Sequence, residues 1–84
     1  MRLVFTANGW ADYTYWLDTN RPILKRLTKV IDATLRDPSS GIGKPELLRE
    51  NLAGCWSRRI TEEHRLVYRV DGGDLVILQA RYHY

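Results

Sequence analysis

Arg65-Leu66-Val67-Tyr68-Arg69-Val70-Asp71-Gly72-Gly73-Asp74-Leu75-Val76-Ile77-Leu78-Gln79-Ala80 decides the fold. Two runs rich in β-branched and aliphatic residues flank Asp71-Gly72-Gly73, which supplies the positive backbone angles a tight hairpin needs. Upstream, Trp56, Arg58 and Ile60 alternate with Cys55, Ser57, Arg59 and Thr61, and the polar Glu62-Glu63 separates this run from the hairpin. Period two from Gly54 onward predicts an antiparallel meander of three strands.

The first half of the chain reads differently. Arg2 to Thr6 predicts a short strand, and Thr6 or Asn8 caps a helix running to about Thr19. Trp10, Tyr13 and Leu17 lie at helical spacing in it, and Gly9 weakens its start a little. Asn20 then caps a second helix with Pro22 in its first turn. Ile23, Leu24, Leu27, Val30, Ile31 and Leu35 form its apolar stripe, with Arg21, Lys25, Lys29, Asp32 and Arg36 on the other side. Residues 37–43 carry the signals of a loop, and a helical turn is expected within 46–52. The fold class is therefore α+β: two N-terminal helices packed on one face of a mostly antiparallel, twisted sheet, in a single domain over 1–84.

Side chains two apart on a strand share a face. If Ile60, Leu66, Tyr68, Val70, Val76, Leu78, Ala80 and Tyr82 point toward the helices, the other face carries Ser57, Arg59, Arg65, Arg69, Gln79, Arg81 and His83. A formal charge of only +3 then conceals one strongly cationic, hydrogen-bonding surface. Val67, Leu75 and Ile77 break the alternation, so part of that face is expected to be apolar or covered.

Composition narrows the function classes. An apolar share of 44%, with three Trp and five Tyr, excludes a disordered chain. The single cysteine, Cys55, excludes an internal disulfide, and with two distant histidines it gives no metal-ligand spacing. No metal or cofactor is expected, and a reducing, cytoplasmic setting is. No run approaches the roughly 18 apolar residues of a membrane span, and none resembles a secretory leader.

The last four residues, Arg81-Tyr82-His83-Tyr84, hold a proton donor that titrates near neutral pH, a phosphate binder and stacking surfaces. RNA cleavage without a metal needs a base for the 2′-hydroxyl proton, an acid for the departing 5′-oxygen and cations on the phosphoryl oxygens. Glu46 is the candidate base, His83 the candidate acid, and Arg59 and Arg65 offer guanidinium forks. Ordinary structural roles stand beside these: a solvated Glu46, arginines paired with Glu62 and Glu63, a structural His64, and Trp10, Tyr13 and Trp16 as helix packing or an interface.

Trp56-Ser57-Arg58-Arg59-Ile60-Thr61-Glu62-Glu63-His64-Arg65-Leu66-Val67-Tyr68, with Arg81-Tyr82-His83-Tyr84, closely resembles the YoeB branch of the RelE/ParE toxin superfamily. Gly43-Lys44-Pro45-Glu46-Leu47-Leu48 and Trp10-Ala11-Asp12-Tyr13-Thr14-Tyr15-Trp16 fit the same pattern. The resemblance implies a RelE-like, microbial-ribonuclease-like fold and a ribosome-dependent endoribonuclease that cuts messenger RNA in the A site. It also implies Glu46 as general base, His83 as general acid, Arg65 as transition-state stabiliser and Tyr84 as substrate-orienting residue. Lys44 and Arg59 match phosphate- or substrate-holding positions, and Arg81 is grouped with them. The implied partners are a YefM-like antitoxin, the 70S ribosome with its message and operator DNA through the antitoxin complex, with a homodimer as a further assembly. Two alternatives from other classes are a ParE-like gyrase inhibitor, which has no use for this residue set, and an RNA- or ribosome-binding module without turnover.

Overall fold

The computed structural model of the protein describes residues 1–82. Strand β1 (Arg2–Phe5) leads into α1 (Ala7–Thr19) and α2 (Arg21–Arg36), followed by β2 (Glu46–Leu47), a 3₁₀ turn (Glu50–Leu52), β3 (Trp56–Arg59), β4 (Arg65–Asp71) and β5 (Asp74–Gln79). The five strands form one sheet in the order β1-β5-β4-β3-β2, antiparallel except for the β1–β5 pair. Both helices lie on one side of it, as the patterning requires. The span 46–52 divides: its first two residues extend the sheet, and the turn follows only at Glu50.

The helix starts are fixed by their caps. Thr6 Oγ1 accepts the Gly9 N–H at 3.0 Å, and Asn20 Oδ1 accepts the Ile23 N–H at 3.2 Å. Helix α2 buries Leu27, Val30, Ile31 and Thr34. The buried positions of α1 differ from the expected stripe. Gly9 and Trp16 face inward, whereas Trp10 and Leu17 are exposed. Gly9 is there because α1 crosses β5 at backbone contact distance: a Cβ would lie 2.3 Å from the Ile77 carbonyl oxygen. Trp10 stacks on Tyr13, and with Phe5, Leu3, Thr28 and Ile31 they line an apolar groove beside β1, its volume ≈ 280 Å³.

The face assignment holds for Leu66 and Tyr68 of β4 and needs correction at Val70 and on β5. Leu66 and Tyr68 are fully buried beneath the helices, and so are Leu75 and Ile77, not Val76 and Leu78. The pairing runs Val67↔Gln79 and then Tyr68↔Ile77, which leaves Leu78 as the extra residue of a β-bulge. A bulge shifts the alternation by one. Ile77 and Ala80, three apart, therefore both reach the main core, while Leu78 joins Leu48, Leu52, Cys55 and Val67 in a second cluster on the far face. Val70 and Tyr82 are exposed rather than inward.

Candidate functional site

The sheet register assembles the site. Glu46 pairs with Ser57, Ser57 with Val67, and Val67 with Gln79, so these four side chains form one row on the face turned away from the helices. Two residues along each strand, Arg59 pairs with Arg65 in the next row of that face. Glu46 and Arg59 are thus diagonal neighbours, with Cβ atoms about 7 Å apart by sheet geometry. The second apolar cluster covers one side of this surface and leaves Glu46 exposed at its border.

The approach to Glu46 is a constrained loop. The Arg59 N–H donates to the Gly43 carbonyl at 2.7 Å, holding residue 43 against the end of β3. Gly43 has φ 85°, and a Cβ there would meet the Arg59 carbonyl oxygen at 3.0 Å. Lys44 follows at φ 51°, in the left-handed region that a lysine reaches at a cost of about 1–2 kcal/mol. Such strain persists only where surrounding contacts impose it, and it gathers at functional sites. Among the described residues, the side chains of Lys44, Glu46 and Arg59 have no hydrogen-bond or ion-pair partner.

Arg65 is held differently. Its Nη1 donates to the carbonyls of Thr61 at 2.8 Å, Glu62 at 3.0 Å and His64 at 3.3 Å. One end of the guanidinium is therefore locked into the 61–64 turn, and neither Nη2 nor Nε has a partner among the described residues. Glu62 and Glu63 do not neutralise Arg65. The glutamate contact at this turn is between Glu63 Oε1 and His64 Nε2, at 3.5 Å.

Arg81 departs from the cationic face. The strand ends at Gln79, and the Arg81 guanidinium carbon lies 3.6 Å from the centre of the Tyr15 ring on α1 and 4.7 Å from that of Tyr82. Arg69 stays on the far face, 3.9 Å from Asp71. His83 and Tyr84 lie outside the described residues. The chain is described as far as Tyr82, whose C=O accepts the Arg65 N–H at 3.0 Å, so the backbone leading to them runs beside Arg65.

Sequence reasoning missed Arg58. It sits on the helix side of β3, fully buried, and donates to the carbonyls of Asp37, Ser40 (2.9 Å) and Ile42 (3.1 Å) and to the Tyr68 hydroxyl (3.1 Å). The Tyr68 hydroxyl in turn donates to the Pro38 carbonyl. Burial raises the Tyr68 phenol above its ordinary pKa, with Arg58 opposing the shift. The 37–42 loop that precedes Lys44 and Glu46 is thus tied from inside. The Asp37 carboxyl, which receives the Ser39 N–H and the Ser39 and Ser40 hydroxyls, is held below its usual range chiefly by the Ser39 backbone bond. The signal was available: Arg58 has the parity of Ile60, a core position. Among the described residues, no group of three His, Cys, Asp or Glu side chains could hold a metal ion, and no helix is long and apolar enough to cross a membrane.

Residues 5–84 match the family model of the YoeB-like toxins of bacterial type II toxin–antitoxin systems. The chain belongs to the YoeB-like toxins. It is 51% identical to a Toxin YoeB of Streptomyces coelicolor, over the full length of both chains. Among solved structures, a YoeB/ParE toxin from Agrobacterium tumefaciens superposes with a TM-score of 0.97 at 45% identity, again over both whole chains. The Staphylococcus aureus YoeB, solved in a YoeB–YefM complex and as a dimer, superposes at 0.91 with 39% and 38% identity, covering all of this chain and 98% of that one. Among the YoeB-like toxins, then, this chain presents an exposed carboxylate and two arginines on one sheet face.

Proposed function

We propose that this toxin is a ribosome-dependent endoribonuclease that cuts messenger RNA in the A site and so arrests translation. The observation that carries the proposal is the row geometry: an exposed Glu46 shares a face with Arg59 and Arg65, and Lys44 stands two residues away in a constrained loop. In this reading Glu46 takes the proton from the 2′-hydroxyl, and the 2′-oxygen attacks the adjacent phosphorus. The bond to the 5′-oxygen breaks as His83 delivers a proton to it, leaving a 2′,3′-cyclic phosphate and a free 5′-hydroxyl. Arg65, anchored through Nη1, directs the rest of its fork at the phosphoryl oxygens as their charge grows. Lys44 and Arg59 hold the phosphate, Arg81 adds positive potential at the border, and Tyr84 stacks on or orients the substrate. The route needs no metal ion.

So open a surface cannot by itself hold a flexible RNA in line for attack, and positioning is worth many kcal/mol in such reactions. The ribosome is the group that orients the message. The partner is a YefM-like antitoxin, as in the Staphylococcus aureus complex, and its acidic segment would neutralise the cationic face. Through that complex the pair would reach operator DNA, and a second copy of the toxin is a further partner. The setting is the cytoplasm.

The test is chemical. Ribosome-programmed messages cut by the toxin should end in a 2′,3′-cyclic phosphate or its 3′-phosphate product, and a 2′-deoxy nucleotide at the scissile position should block cutting. Unimpaired cutting of the deoxy-substituted message would refute the mechanism.

A further inference from the structure

The backbone that leads to His83 is gripped from three elements. In α1, Asp12 Oδ2 accepts the Ala80 N–H at 2.9 Å and the Trp16 indole N–H donates to the Ala80 carbonyl at 2.8 Å. In the turn before β4, His64 Nδ1 accepts the Tyr82 N–H at 2.7 Å. At the start of β4, the Arg65 N–H donates to the Tyr82 carbonyl at 3.0 Å. All four backbone polar groups of Ala80 and Tyr82 are therefore satisfied, after the strand itself has ended at Gln79. Between them the chain turns through Tyr82 at φ 60°, a conformation that needs imposed contacts in a non-glycine residue. The side chains that make these bonds are themselves fixed. Trp16 and His64 are buried, and their rings meet edge to face with centroids 4.6 Å apart.

We propose that Asp12, Trp16 and His64 are positioning residues that latch residues 80–82 against α1 and the start of β4 for the cleavage reaction; this rests on the reading that His83 is the general acid. An unanchored segment cannot deliver a proton to a fixed oxygen, because it samples many orientations. Anchoring residues 80–82 fixes the backbone for three residues beyond the end of β5. The latch has a definite chemical state. Only an unprotonated Nδ1 can accept the Tyr82 N–H, so the neutral His64 ring carries its proton on Nε2, facing Glu63 Oε1 at 3.5 Å. The other charged groups around it are Arg65, which donates to the His64 carbonyl, and Asp12 and Arg81, bound to or flanking the latched segment.

The experiment compares His64→Leu with His64→Asn, whose amide oxygen can take the Nδ1 position, in the full-length toxin on programmed ribosomes. His64→Leu should lower the cleavage rate at saturating message about 10²-fold, with half-saturation unchanged. The Tyr82 amide should lose its protection from hydrogen exchange at the same time. His64→Asn should restore both. Should His64→Leu fail to fold, Asp12→Ala and Trp16→Phe remove single latch bonds and carry the same expectation. A folded latch variant that cuts at the wild-type rate while His83→Gln is inactive overturns the latch and spares the proposed function. Wild-type cutting by His83→Gln overturns the acid assignment and the latch's purpose with it.

Discussion

Arg58 and Arg59 are neighbours on one strand and do opposite things. Arg58 turns inward, is wholly buried and satisfies three loop carbonyls and a phenol, whereas Arg59 turns outward and has no side-chain partner among the described residues. Strand alternation alone separates them. The difference shows how an 84-residue chain provides both stability and a reactive surface: the helix-facing side commits its polar groups to holding loops in place, and the far side leaves its charges available.

Replacing each arginine by methionine should separate the two faces most strongly. Arg58→Met removes the donor from the buried Tyr68 hydroxyl and from three part-buried loop carbonyls, at up to about 1–3 kcal/mol each, a loss comparable to the roughly 3–5 kcal/mol a core of this size supplies. Calorimetry should find little or no folded protein. Arg59→Met should leave the melting temperature within a few degrees of wild type and lower cleavage roughly 10–100-fold, the value of one charge-assisted hydrogen bond. An Arg59→Met protein as unstable as Arg58→Met would erase the contrast.

Gly9→Ala is the next largest effect. With the new Cβ 2.3 Å from a backbone oxygen, α1 must move away from β5 at about 1–3 kcal/mol. A melting temperature equal to wild type would show that the helix is not seated as described.

Lys44→Gly sharpens the comparison from the other side. Relief of the left-handed backbone should leave stability unchanged or raise it by up to about 1 kcal/mol, while cleavage falls. Loss of stability would mean that the lysine side chain serves the fold.

The smallest effects are those of pH. Asp37, its pKa depressed in the fold, contributes stability above the unfolded value near 4, lost as pH falls through the folded value. Tyr68, its pKa raised, contributes stability below about 10, lost as pH rises through the folded value. Asp37→Asn should flatten the acid limb of a stability–pH curve and Tyr68→Phe the alkaline limb; limbs unchanged by these replacements would remove both assignments.

Much of this was legible in the sequence, where local rules govern. The caps at Thr6 and Asn20, the α2 stripe and the Gly72-Gly73 turn follow from residue chemistry within a few positions. The shared face of Glu46, Arg59 and Arg65 is only partly of that kind: parity places the two arginines, but only the β2–β3 pairing brings Glu46 beside them. What failed depends on distant contacts. Nothing local marks Leu78 as a bulge, since the shift is set by how β5 meets both β4 and α1. Gly9 reads as a weak helix former until the Ile77 carbonyl lies against it. Nothing local marks Asp12 as a partner of the Ala80 N–H, and the departure of Arg81 toward Tyr15 follows from the same tethering.

The central claim is tested most directly by the single-turnover rate at which folded Glu46→Gln toxin, freed of antitoxin, cuts a message in the A site of a programmed ribosome. Removing a positioned base should slow cutting about 10²–10⁴-fold without loss of ribosome binding. Cutting at the wild-type rate would contradict it.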